Sequence, residues 1–123
     1  MAKSILIIED DEFLANLLRK KLVSAGYEVF VSSNGQDGLK QIEAIMPKLL
    51  LLDIILPDVN GFHIMEKLQM ERKLKKIPVI IISNSGQPVD LYKAKRLGAK
   101  DWLIKTEFDP QEVQEKVRKQ IGR

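Results

Sequence analysis

The stretch Lys48-Leu49-Leu50-Leu51-Leu52-Asp53-Ile54-Ile55-Leu56-Pro57-Asp58-Val59-Asn60-Gly61 decides the fold. Four consecutive leucines form a run of strand length with no polar face. Such a run suits a strand buried on both sides, as in parallel sheets covered by helices. It ends on Asp53 and passes into a loop of proline, asparagine and glycine, all good turn formers. The strand is therefore expected at the centre of a sheet, with an acid at its carboxyl end.

Outward from it, apolar runs of strand length alternate with longer segments of helical period. The other strands are expected at Ser4–Ile8, Glu28–Ser32, Val79–Ile82 and Asp101–Ile104. A first helix, Asp10–Ser24, places Phe13, Leu14, Leu17, Leu18 and Leu22 on one stripe and ends near Gly26. A second begins near Asn34-Gly35, turns Leu39, Ile42 and Ile45 inward and stops before Pro47. A third runs from about Phe62 to Leu74, with Ile64, Met65 and Leu68 facing the core. A fourth follows the loop Asn84-Ser85-Gly86-Gln87-Pro88 and reaches Leu97, where Gly98 terminates it. The last has Asp109 as its N-cap, Pro110 at its first position and Val113, Val117 and Ile121 inward. Alternation of this kind implies parallel strands joined by helical crossovers.

A chain of 123 residues suffices for one core and is short for two, so residues 1–123 are expected to form one domain, with no effector domain. With no cysteine, thiolate metal sites, disulfides and thiol nucleophiles are excluded. The N-terminal apolar run is too short for a signal core or a membrane span, which points to a cytoplasmic chain with no membrane partner. The net charge is +3, and its cations are spread over Arg19–Lys21, Lys73–Lys76, Lys93–Arg96 and Lys116–Lys119. They read as solvated helix faces, and without a groove-reading motif beside them no direct nucleic-acid contact is expected.

Ligands of open parallel sheets collect outside the carboxyl ends of the strands. Those ends carry Glu9-Asp10-Asp11, Asp53, Ser83 and Lys105. Asp10 and Asp11 could simply complement a helix dipole. Crowded beside Asp53, however, such carboxylates repel one another unless a cation sits among them. Oxygen donors with no histidine or cysteine nearby select Mg²⁺. Beside such an ion an aspartate can act as a nucleophile on phosphorus, with Lys105 as a second positive charge. Ser83 offers a hydroxyl to a phosphoryl oxygen, or is a turn serine. His63, the only histidine, falls at a helix start and gives no Ser-His-Asp set. There is no glycine-rich phosphate-binding loop either.

Taken in order, these strand-end residues, the tract 53–61, the hydroxyl at Ser83 and the aromatic Trp102 resemble the receiver domain of two-component response regulators over essentially the whole chain. The resemblance implies an α/β fold of five parallel strands in the order 2-1-3-4-5, with helices on both faces, similar to flavodoxin. It implies that a histidine kinase or phosphotransfer protein donates a phosphoryl group to Asp53. Mg²⁺ would be held by Asp11, Asp53 and the backbone carbonyl of Ile55, and by Asp10 directly or through water. Ser83 and Trp102 would act as switch residues. The face of the fourth helix, fifth strand and fifth helix would then change partners, a second copy of the chain among the candidates. Such a domain catalyses only its own phosphorylation and dephosphorylation, and so is not an enzyme acting on other substrates.

Three positions depart from the family. Thr106 stands where a proline with a cis bond usually follows the lysine, so Lys105–Thr106 is either trans with a rearranged loop or a strained cis bond, at about 3 kcal/mol. Asn84 is bulkier than usual, and Ile55 cannot orient an attacking water. With Ser85 they form a set expected to tune the lifetime of the acyl phosphate. Two other functions compete: a phosphorylation-independent interaction module of the same fold, and an aspartate-dependent phosphohydrolase. The latter wants a second acid two residues after its nucleophile, where Ile55 stands.

Overall fold

The computed structural model describes residues 2–84, 87–107 and 109–123, with Pro88 and Val89 described by their backbone alone. Five strands, β1 (Ser4–Ile8), β2 (Glu28–Ser32), β3 (Leu49–Asp53), β4 (Val79–Ser83) and β5 (Asp101–Ile104), pair in parallel in the order β2-β1-β3-β4-β5. The helices are α1 (Glu12–Ser24), α2 (Gly35–Ile45), α3 (Gly61–Gln69), α4 (Arg72–Lys75), α5 (Pro88–Arg96) and α6 (Pro110–Ile121). The expected sheet and its order are both present.

Strand alternation divides the core into two layers. Ile5, Ile7, Leu49, Leu51, Ile80 and Ile82 pack on one face with Leu18 and Leu22 of α1 and Val113 and Val117 of α6. Leu6, Ile8, Leu50, Leu52, Val79 and Ile81 pack on the other with Ile42 of α2, Ile64, Met65 and Leu68 of α3, and Ala94 of α5. All four leucines of β3 are fully buried, because that strand is covered on both faces. Gly38 lets α2 lie close on the sheet: a Cβ there would come within 2.4 Å of Ile8 Cδ1.

Two helical details differ from expectation. The helix expected over about 62–74 is broken at Met70, which is 83% exposed. Leu68 and Leu74 are both buried, yet at about 3.6 residues per turn their spacing would put them on different sides of a continuous helix. The break lets both turn inward. On α1 the buried residues are Ala15, Leu18 and Leu22, with Leu14 packed beside them, whereas Phe13 is 79% exposed and Leu17 lies at the rim. Asp11 caps α1, with its side chain accepting from the Leu14 N–H, and the helix starting there turns residues 13 and 17 away from the sheet.

Leu18→Ala should therefore cost about 2–5 kcal/mol, the range for a buried leucine. Phe13→Ala should change stability by no more than about 0.5 kcal/mol. Urea unfolding followed by circular dichroism measures both, and comparable losses would contradict the observed phase of α1.

Candidate functional site

The chain leaves β1 toward β2 on one side and leaves β3 toward β4 on the other, so the crevice between the carboxyl ends of β1 and β3 is the topological switch point of the sheet. Glu9 extends β1, its N–H donating to Ser32 O at 3.0 Å. Asp53 is the last residue of β3 and Ser83 the last of β4, and both side chains are buried. Lys105 follows β5, and its N–H donates to Ser83 O at 2.8 Å, carrying the β4–β5 pairing one residue further.

These residues meet in an ion triad. Lys105 Nζ lies 2.9 Å from Asp53 Oδ2 and 2.9 Å from Glu9 Oε1. It donates to Asp53 Oδ2 at 2.9 Å and to Glu9 Oε2 at 3.1 Å, so both oxygens of the buried Glu9 carboxylate face the one ammonium. One ammonium thus faces two buried carboxylates, and Asp10 adds a third acid at the crevice mouth. Oxygens of Glu9, Asp10 and Asp53 lie within 4.8 Å of one another.

The charge imbalance is visible in the proton affinities. Burial pushes the Glu9 carboxyl up from 4.5 to about 7, with Asp53 adding to the rise; the Lys105 hydrogen bond and the Asp11 N–H oppose it. Burial works against the Lys105 ammonium, but its bonds to Asp53 and Glu9 outweigh that, and its pKa is raised. Three carboxylates whose oxygens lie within 4.8 Å of one another, sharing one ammonium, fit a hard divalent cation. Histidine and cysteine are absent from the cluster, which disfavours zinc or copper.

Of the residues singled out from sequence, Asp10, Asp53, Ser83 and Lys105 stand at the strand ends that frame the crevice. Asp11 stands apart from them. It lies outside the carboxylate cluster, its side chain engaged as the α1 N-cap with Oδ1 accepting from Leu14 N–H at 3.1 Å. Glu9 occupies the place given to it. The signal was available: a carboxylate directly after a fully buried strand is drawn inward, whereas the aspartate just before a helix is a cap. Ile55 has its side chain 70% exposed, and its N–H donates to Asp53 Oδ1 at 3.2 Å. No described peptide bond is cis, so Lys105–Thr106 is trans, and the ladder bond at Lys105 N holds the ammonium in reach of Asp53 without a proline. Trp102 is half-buried on β5, beside Leu91 and Ala94 of α5. Asn84 and His63 are exposed, and Ser85 lies outside the described residues.

Residues 5–118 match the response regulator receiver domain. The chain belongs to that family. It is 31% identical over 118 residues to the alkaline phosphatase synthesis transcriptional regulatory protein PhoP of Bacillus subtilis, covering 96% of this chain and 48% of that protein. It is 34% identical over 119 residues to the DNA-binding dual master transcriptional regulator RpaA of Synechocystis, covering 97% and 49%. The chain spans about half the length of these relatives. A response regulator receiver domain protein (CheY-like) from Methanospirillum hungatei superposes with a TM-score of 0.89 at 28% identity, over 97% of this chain and 93% of that one. Response regulators are signalling proteins of two-component systems and not metabolic enzymes, and their receiver domains act with histidine kinases or phosphotransfer proteins. Among the described residues no helix is long and apolar enough to cross a membrane.

The raised Glu9 pKa sets a pH dependence. The folded state holds this proton more tightly than the unfolded chain does, so in divalent-free buffer stability falls as pH rises from 4.5 to about 7. Glu9→Gln removes the effect. Its melting temperature should match wild type near pH 4.5 and exceed it above about 7, and a gap independent of pH would show that Glu9 does not titrate in this window.

Proposed function

We propose that the chain is a phosphorylation switch in which Asp53 accepts a phosphoryl group from a phosphohistidine on a histidine kinase or phosphotransfer protein. The observation that carries this reading is the Lys105 ammonium held 2.9 Å from Asp53 Oδ2 at the crevice where three strand ends meet. In the transfer, an oxygen of Asp53 forms the new bond to phosphorus while the phosphorus–nitrogen bond of the donor breaks. The donor imidazole keeps the electron pair and takes up a proton.

Lys105 offsets charge on the incoming phosphoryl oxygens, and being already bonded to the acceptor it needs little reorganisation. Ser83, at the end of β4, supplies a hydroxyl to the phosphoryl group. Asp10, Asp53 and the Ile55 carbonyl, with Glu9 behind them, are the groups to hold Mg²⁺. When bound, that ion screens the approach of two anions and neutralises the equatorial oxygens. Ser83 and Trp102 then relay the state of Asp53 to the face of α5, β5 and α6, the switched surface for a downstream partner or a second copy of the chain. The chemistry is confined to the chain's own phosphorylation and dephosphorylation in the cytoplasm, with no direct contact to nucleic acid or membrane.

Intact mass after incubation with acetyl phosphate or a phosphoramidate and Mg²⁺ tests the reading. Wild type should gain one phosphoryl group and Asp53→Asn none. No gain in either protein would favour the phosphorylation-independent interaction module.

Ile55, Asn84 and Ser85 are assigned to the lifetime of the acyl phosphate. Ile55 stands 70% exposed two residues from the acceptor, with no polar atom to orient a water. Ile55→Asn should speed autodephosphorylation, followed as loss of the phosphorylated mass. An unchanged or slower rate would remove Ile55 from the set.

A further inference from the structure

The loop after β3 is closed at its base by Gly61 N–H donating to Ile54 O at 2.6 Å and by a bridge between Ile55 and Asn60. Its tip leans on a different element. Asp58 Oδ1 accepts from Gly35 N–H and Oδ2 from Gln36 N–H, each at 2.8 Å, so one carboxylate spans the first two amides of α2. The helix has its own cap for the third amide, Asn34 Oδ1 accepting from Asp37 N–H at 2.8 Å. Three N-terminal amides are thus satisfied, two of them by a residue more than twenty positions away. The approach is so close that a Cβ on Gly35 would fall 2.1 Å from Val59 Cγ2 and 3.2 Å from Asp58 Oδ1. The Asp58 carboxyl is held below its ordinary pKa, first by the Gln36 N–H and then by the Gly35 N–H, so it is an anion at neutral pH.

The other side of the same loop touches the acceptor. Ile55 N–H donates to Asp53 Oδ1, and a Cβ on Gly61 would meet Asp53 O at 2.4 Å. The exposed Ile55 side chain contributes little packing to fix the loop. From this geometry we infer that Asp58 is a positioning residue: by clamping the tip of the 54–60 loop to the start of α2, it holds the Ile55 amide and carbonyl in register with Asp53. This rests on the reading of Asp53 as the phosphoacceptor. It makes the α2 N-terminus a structural support of the phosphoryl-transfer site.

Four proteins test it: wild type, Asp58→Ala, Asp58→Asn and Asn34→Ala, each examined by Mg²⁺ titration calorimetry and, without metal, by amide hydrogen exchange. Asp58→Ala should speed exchange at Ile55 and weaken Mg²⁺ binding about tenfold, the lower end for residues that orient metal ligands from outside the coordination sphere. Asp58→Asn keeps one oxygen acceptor and should restore part of both. Asn34→Ala loosens only the helix's own cap; it should lower the melting temperature yet leave Ile55 exchange and Mg²⁺ affinity at wild-type values. If Asp58→Ala speeds exchange at Gly35 and Gln36 but leaves Ile55 and Mg²⁺ affinity unchanged, the carboxylate merely caps α2 and the inference is overturned, with the phosphoacceptor reading intact. A wild type that binds no Mg²⁺ would overturn that reading, and the inference with it.

Discussion

A single ammonium shared by two buried carboxylates, Lys105 between Asp53 and Glu9, leaves a local excess of negative charge in a place that water does not reach freely. A buried ion triad of this stoichiometry is poorly compensated, since removing carboxylates from water costs more than one shared cation returns. The protein relieves the excess in part by holding Glu9 ready to take a proton near neutrality. A divalent cation among the three carboxylates would relieve it further. On the proposed function, a phosphoryl group on Asp53 would change the balance again.

The fold delivers these charges because its strands end together. In a parallel sheet all carboxyl termini lie on one edge, and the crossing of connections between β1 and β3 opens a gap there. Fully buried apolar runs carry Glu9 and Asp53 to that edge, and backbone pairing with β4 carries Lys105. Ordinary packing glycines complete the arrangement: Gly38 lets α2 lie close on β1, and Gly61 brings the start of α3 against Asp53. The site is thus built on strand ends and helix starts, elements whose positions the two apolar layers fix.

The strands were legible in the sequence because burial on both faces leaves an uninterrupted apolar run with sharp ends; three of the five have the expected bounds, and β3 and β4 each run one residue further, through Asp53 and Ser83. The helices were legible as existing but less so in phase. Phe13 and Leu17 share the apolar character of Leu14 and Leu18, so residue type alone does not say which pair turns inward. The break at Met70 follows from a spacing, Leu68 to Leu74, that composition does not reveal. At the site, the acidic run Glu9-Asp10-Asp11 after β1 was visible, but not which of its members share the crevice: the structure groups Glu9 and Asp10 with Asp53 and gives Asp11 to the α1 cap. Adjacent acids are indistinguishable by type, and what separates them is that β1 pairing extends through Glu9 while Asp11 is committed to capping α1. Thr106 is a departure from the family's usual proline, and here the Lys105–Thr106 bond is trans with Lys105 tied to β4 through its own N–H.

The measurement that bears most directly on the acidic crevice is Mg²⁺ affinity by titration calorimetry in wild type, Asp10→Asn and Asp11→Asn. With the cation held by the cluster of Glu9, Asp10 and Asp53, Asp10→Asn should weaken or abolish binding, and Asp11→Asn should bind like wild type while losing some helix stability. Binding that survives Asp10→Asn but is lost in Asp11→Asn would contradict the account.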